Sequence, residues 1–130
     1  MLIPESHVDI LNKQAFASVA TIGPNGEPQN NPVWIGWDGA QVRFSQTKTR
    51  QKYRNLLVDG RVALSIIDPD DPYRYLEVRG VVAGVEDDPD RAFIDSMALK
   101  YLGLDRYPWH RAGDERIVIV VEPTSTTTMG

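Results

Sequence analysis

The chain has no cysteine among its 130 residues and only two histidines, His7 and His110. The first absence excludes thiol nucleophiles, disulfides and cysteine-ligated metals. The second leaves little from which to build a hydrolytic triad, and neither histidine stands in a recognisable nucleophile context. The sequence has no G-x-S-x-G elbow, Walker loop or G-x-G-x-x-G turn, and no metal-ligand spacing of His, Asp and Glu. Asp68, Asp70 and Asp71 resemble a calcium loop only briefly, because Pro69 and Pro72 interrupt them and no bidentate glutamate follows, so the segment reads as a turn. No apolar run approaches the ~18 residues of a membrane span. Met1-Leu2-Ile3-Pro4-Glu5 lacks the basic and apolar regions of a secretory signal, so the expectation is a cytoplasmic protein. If the chain is an enzyme, a cofactor carries the reaction.

What is present is a local charge reversal. The formal net charge is −4, which argues against a general nucleic-acid binder. Yet from Ser45 to Asn55 the sequence places Lys48, Arg50, Lys52 and Arg54 among hydroxyls and amides, with no acidic residue between Asp38 and Asp59. Val42-Arg43-Phe44 reads as the end of a strand, Thr49 as a helix N-cap, and Tyr53, Leu56 and Leu57 as one apolar helix face. Arg50 and Lys52 then fall in the first helical turn, where the macrodipole disfavours each cation by up to ~1 kcal/mol. Free backbone N–H groups, hydroxyls and fixed positive charge together make a phosphate seat. A solvated basic helix face is the alternative reading.

The length suits a single domain, residues 1–130, with a core that needs no staple. Pro4 to Gln14 reads as a short amphipathic helix and Ala15 to Ile22 as a strand, followed by a Gly23-Pro24-Asn25-Gly26 hairpin turn. The next strand, about Pro28 to Trp37, is broken at Pro32, which marks an edge, a bulge or a place where the backbone faces something other than a strand. Gln41 to Ser45 precedes the basic helix, Arg61 to Ile67 follows it, and Tyr73 to Val85 forms a long strand. Asp88-Pro89 opens a further helix with an apolar stripe of Phe93, Ile94, Met97, Ala98 and Tyr101, stopped by Gly103. Arg116 to Val121 is a β-branched strand buried on both faces. About six antiparallel strands with flanking helices make a mainly β (α+β) chain and suggest a barrel.

Taken in order, Phe16-Ala17-Ser18-Val19-Ala20-Thr21, Asn25 to Trp34, Phe44-Ser45, Thr49-Arg50-Gln51-Lys52, Arg54-Asn55-Leu56 and Tyr75 to Gly80 resemble the pyridoxamine 5'-phosphate oxidase-like split β-barrel proteins, the FMN-binding split-barrel type. Within them the chain is most similar to the actinobacterial class B oxidoreductases that use the deazaflavin coenzyme F420. The resemblance implies a homodimer with two cofactor sites at the subunit interface. It implies that Ser45 and Thr47 donate hydroxyls to the cofactor phosphate, that Arg50 and Lys52 supply charge, and that Pro32 and Val33 lie against the ring. Lys48 and Arg54 flank these residues and would meet the acidic lactyl-oligoglutamate tail of F420. Tyr73, Tyr75 and Trp109 are candidates for a wall contributed by the partner subunit, with ordinary packing under a loop as the alternative. Trp34 and Trp37 read as core or interface residues, and His110 as a surface histidine.

True pyridoxamine-phosphate oxidases add a C-terminal segment with phosphate-reading arginines, whereas here the sequence runs out in Pro123 to Gly130, which argues against vitamin B6 oxidation. The haem-degrading relatives need an iron-ligating histidine that neither His7 nor His110 supplies by position. The expected activity is hydride transfer from reduced F420 to a small conjugated or planar acceptor such as an enone, quinone or tetrapyrrole, with no catalytic acid or base from the protein. FMN as cofactor, or a non-catalytic flavin or deazaflavin carrier, are the alternatives. Three tryptophans and the strand Ile117 to Val121 leave apolar surface that also suits a dimer.

Overall fold

The computed structural model describes residues 2–130. A 3₁₀ turn, Glu5–His7, leads into a short helix α1 (Val8–Asn12), then β1 (Ala17–Ile22), β2 (Pro28–Val33), β3 (Gly36–Trp37) and β4 (Val42–Thr47). Helix α2 (Gln51–Val58) is followed by β5 (Arg61–Asp68), β6 (Asp71–Asp87), α3 (Ala92–Leu102) and β7 (Arg116–Met129). All neighbouring strands pair antiparallel in the order β2-β1-β5-β6-β7-β4-β3. The two edge strands, β2 and β3, are consecutive in the chain and joined by Trp34 and Ile35, so the sheet has the connectivity of a split β-barrel. The core gathers Ile10, Leu11, Ile35, Phe44, Leu64 and Ile66, all fully buried, with residues of β6 and β7.

Seven strands form where six were expected, because the segment from Pro28 to Trp37 makes two. The break falls at Trp34–Ile35 and not at Pro32, which lies within β2 opposite Ser18. Since β2 is an edge strand, a residue without an N–H is tolerated there. The last strand is also longer than its apolar run. Thr124 to Met129 continue it, with Ser125 to Met129 paired to Tyr75 to Arg79, since β-branched threonine suits a half-exposed ladder. Pro123 stands at a register shift next to Gly80, where any Cβ would overlap the Glu122 carbonyl oxygen, so the long ribbon bends there.

Helix α2 departs from its expected register. Its N-cap residue is Arg50 in extended conformation, no side chain caps it, and the Thr49 hydroxyl bonds Thr47 at 3.0 Å instead. The buried face is Lys52, Asn55 and Leu56, while Leu57 is 59% exposed. Asn55 explains the rotation: its amide donates to Thr21 Oγ1 at 3.0 Å and to Gln29 Oε1 at 2.9 Å, pinning the helix across β1 and β2. At α3, Asp88 accepts the backbone N–H groups of Phe93 and Ile94, both at 3.2 Å, from beyond the N-cap position that Arg91 occupies. Gly103 ends that helix at φ 71°, with its N–H on the Leu99 carbonyl.

Candidate functional site

Between β2, the end of β4, the start of α2 and the loop after α3 lies a cavity of about 600 Å³. Its lining includes aromatic and apolar residues, Phe16, Pro32, Val33, Trp34, Trp109 and Met97. It also includes polar and cationic ones, Ser45, Thr47, Thr49, Arg50, Lys52 and Arg116. No carboxylate and no imidazole lines it among the described residues.

Lys52 is the most unusual of these groups. It sits in the first turn of α2 at 6% exposure, and among the described residues nothing accepts its hydrogen bonds. Burial, and secondarily the neighbouring Arg50 guanidinium, push its amine below the usual lysine range. An amine partly desolvated by burial of its side chain and lacking a protein partner is unfavourable in the ligand-free protein, and the uncapped helix start beside it adds backbone N–H donors. An anionic oxygen group placed there relieves both.

The ion pairs of the protein sharpen the contrast. Among the described residues, carboxylate partners are found for Lys13, Arg43, Lys48, Arg61, Arg74 and Arg79. None of these lines the cavity, while Arg50, Lys52 and Arg116, which do, have no carboxylate partner. Arg54, Arg91, Lys100, Arg106 and Arg111 also lack a carboxylate partner among the described residues, so what distinguishes Arg50, Lys52 and Arg116 is that they converge on one cavity.

Arg116 had no signal in the sequence, because its place depends on pairing. It opens β7 opposite Thr47 of β4, donates from Nη1 to Ser45 Oγ at 3.1 Å, and lies over the Tyr107 ring at 4.6 Å. Its Nε is buried without a partner, as is Gln46 Oε1 nearby.

The aromatic side is a connected set of rings. Trp34 stacks on Tyr101 with centroids 5.1 Å apart and planes 8° from parallel, meets Tyr107 edge-on at 6.0 Å, and tilts toward Trp109 at 6.3 Å. Trp34 therefore lines the cavity instead of serving only as core, because the β2–β3 break turns it toward the loop after α3. That break is held from behind: the Tyr101 hydroxyl accepts the Ile35 N–H at 3.0 Å and donates to the Ala15 carbonyl at 2.7 Å. Lys100 Nζ donates to the carbonyls of Leu11 and Ile35, both at 2.7 Å, and burial pushes this amine down to about 8.

Of the residues singled out from sequence, Pro32, Val33, Ser45, Thr47, Arg50, Lys52 and Trp109 share this cavity. Lys48 does not, because its amine is drawn away to Glu115 at 3.4 Å and Asp87 at 3.6 Å, and Glu115 first and Asp87 next raise its pKa. Arg54 bonds Gln51 on the helix surface. Tyr73, 80% exposed, and Tyr75, paired with Met129 and Ile67, stand outside the cavity of this chain. His110 is half-buried, with its Nδ1 unpartnered, and lines an adjoining space.

Among solved structures, an F420 reductase is 42% identical, with a TM-score of 0.87 over 96% of this chain and 98% of that one. Two more distant structures share the fold: a conserved hypothetical protein from Mycobacterium tuberculosis (21% identity, TM-score 0.78, 99% of this chain and 86% of that one), and General Stress Protein 26 from Bacillus anthracis (15% identity, TM-score 0.71, 96% and 92%). No curated protein matches the chain. The family model described as pyridoxamine 5'-phosphate oxidase matches residues 3–130. With that match over nearly the whole sequence, the chain belongs to the pyridoxamine 5'-phosphate oxidase family.

Proposed function

We propose that this protein is an oxidoreductase that binds coenzyme F420 and transfers hydride from its reduced form to a small planar acceptor. The observation that carries the reading is the buried, unpartnered Lys52 at an uncapped helix start, lining one cavity together with aromatic and apolar residues. Such a space fits a ligand with a flat ring at one end and a phosphate at the other. The 42% identity to a protein named F420 reductase favours the deazaflavin over FMN.

Bound reduced deazaflavin supplies a hydride equivalent. The chain's own residues bind, orient and shield. Lys52, Arg50 and the first N–H groups of α2 hold the phosphate, helped by the hydroxyls of Thr47 and Thr49. Pro32 and Val33 give the ring a rigid backing on an edge strand. Trp34 and Trp109 cover the aromatic side and exclude water from a reaction that requires donor and acceptor in contact. With no carboxylate or imidazole among the lining residues, no protein acid or base is assigned.

A homodimer in the cytoplasm is part of this proposal, with Tyr73 and Tyr75 reaching the cavity of the other subunit. Sedimentation showing a monomer at micromolar concentration would remove that role. The cofactor itself is tested by titrating the protein with F420 and, separately, FMN, followed by absorbance and by tryptophan quenching. Selective F420 binding, then oxidation of its reduced form by a panel of enones and quinones, is the expected result. Selective FMN binding makes the protein a flavoprotein, and F420 binding without turnover makes it a carrier.

A further inference from the structure

The break between β2 and β3 is braced from α3. Ile35, fully buried, lies outside both strands, so its peptide groups need partners that the sheet does not supply. Both find them in the last turn of α3. The Ile35 N–H donates to the Tyr101 hydroxyl at 3.0 Å, and the Ile35 carbonyl accepts from Lys100 Nζ at 2.7 Å. Gly36 lets the chain lie against the same helix, because a Cβ there would come within 3.2 Å of Met97 and 3.3 Å of Phe93. Lys100 Nζ also donates at 2.7 Å to the carbonyl of Leu11, in the last turn of α1, where a helix leaves carbonyls without an internal donor. One half-buried ammonium therefore joins α1, α3 and the break. The residue just before Ile35 is Trp34, which stacks on Tyr101 and lines the cavity.

We infer that the Lys100 ammonium is a positioning group for Trp34: by drawing the Leu11 and Ile35 carbonyls onto one charge it fixes the turn that presents the indole to the cavity, and so sets how tightly a flat ring binds there. Lys100 is not itself among the lining residues, so it acts through Trp34. Charge gives the brace its strength, since a hydrogen bond from an ionised donor is roughly twice as strong as a neutral one. No carboxylate shares that charge. On α1, Asp9 pairs with Arg74, and Lys13 with Asp68 and Asp70. Residues 34–37 carry no ionisable group. On α3, Asp95 accepts the Tyr107 N–H, and the Tyr101 phenol, its ring 5.0 Å from Nζ, is pushed up by burial. Burial brings the Lys100 amine down to about 8 with no carboxylate to oppose it, so the brace is charged below that pH and neutral above it.

This inference rests on the reading that the cavity takes a flat ring, and the test separates the two. The probe is lumiflavin, a flat ring without a phosphate, followed by tryptophan quenching from about pH 6.5 to 9. The background is Lys52→Met, which silences the lysine of lowered pKa in the cavity, and thermal melting checks that each variant folds. The dissociation constant should rise about threefold or more with a midpoint near pH 8. Lys100→Arg, charged throughout the range, should abolish the rise, and Lys100→Met should show the weaker binding already at pH 6.5. A merely structural lysine would lower the melting temperature without this pH signature. A flat profile, a rise that survives Lys100→Arg, or undiminished binding by folded Lys100→Met overturns the role. If lumiflavin does not bind at all, the flat-ring reading of the cavity fails, and tryptophan emission of the ligand-free protein decides the brace. A change near pH 8 that Trp34→Phe and Lys100→Arg each abolish supports it, and absence of that change overturns it.

Discussion

Lys52→Met tests the phosphate seat most directly, because the structure gives opposite signs for its two effects. Methionine keeps the length and apolar body of the side chain while removing the ammonium. In the ligand-free protein the Lys52 side chain is 6% exposed and its amine, open only to the cavity, is partly desolvated without a partner, so its loss should leave stability unchanged or raise it. Each kcal/mol recovered would raise Tm by roughly 4 °C in a domain of this size. In the complex the same ammonium makes a charge-assisted hydrogen bond worth about 1.5–3 kcal/mol, so the variant should bind F420 and FMN about 10- to 150-fold more weakly. Tighter folding together with weaker binding is not what a merely structural lysine would give.

The pH profile adds a second readout. Burial lowers the Lys52 pKa in the free protein, and a bound phosphate would raise it. Affinity is then full below the lowered free value and declines as pH rises from there toward the higher bound value, with a proton taken up on binding. Lys52→Met should flatten this alkaline limb, and Lys52→Arg should flatten it while retaining part of the affinity. Isothermal titration in buffers of different ionisation enthalpy between pH 7.5 and 10 measures both. Lys48→Ala is the control, since Lys48 is committed to Glu115 and Asp87, and it should leave affinity unaltered. An unaltered Kd for both cofactors in Lys52→Met would refute the seat.

Tyr101→Phe removes the hydroxyl that links Ile35 N–H to the Ala15 carbonyl but keeps the ring under Trp34, so it should destabilise the fold by about 1–3 kcal/mol in chemical denaturation, with the aromatic near-UV signal largely preserved. A Tm drop with no change in the Trp34 environment separates hydrogen bonding from stacking, and a neutral result would remove the hydroxyl from the account. Asp68, held well below the usual carboxylate range first by Lys13 and then by the Asp70 N–H and Arg74, contributes stability that is fully present above its ordinary value of 3.8 and is lost as pH falls through the lower folded value. Stability should therefore decline below about pH 4 in wild type. Asp68→Asn should lower Tm at neutral pH and flatten that acid limb, as thermal melts from pH 2.5 to 7 would show.

Much of the fold was legible because local signals agreed with one another. The strand over Ala15 to Ile22, the turn ending at Gly26 and the stop at Gly103 each rest on signals within a few residues, and each stands in the structure close to where it was read. The extension of β7 was not legible. Thr124 to Met129 have no apolar period of their own, and what makes them a strand is the facing edge of β6, a partner nearly fifty residues away. The face of α2 failed for a related reason. Leu57 looks more fit for burial than Lys52 or Asn55, and only the Thr21 and Gln29 acceptors on β1 and β2 turn the helix the other way.

The same distinction separates the cations. Lys48, Arg50, Lys52 and Arg54 are indistinguishable as residue types in a run, and charge alone gives each an equal claim on an anion. Tertiary structure sorts them by what else they can reach. Lys48 sits where β4 ends beside Glu115 and Asp87, and its charge is spent on them. Arg54 turns back along its helix to Gln51. Lys52 has no carboxylate partner among the described residues, and Arg50 beside it makes its position worse rather than better. Arg116, more than sixty residues later, joins them through the Thr47–Arg116 register of β4 and β7. The proposed anion seat is marked less by where positive charge is abundant than by where cations without a negative partner converge on one cavity. That property belongs to the three-dimensional arrangement, and it is why the basic segment contributes Arg50 and Lys52 to the cavity while Lys48 and Arg54 lie outside it.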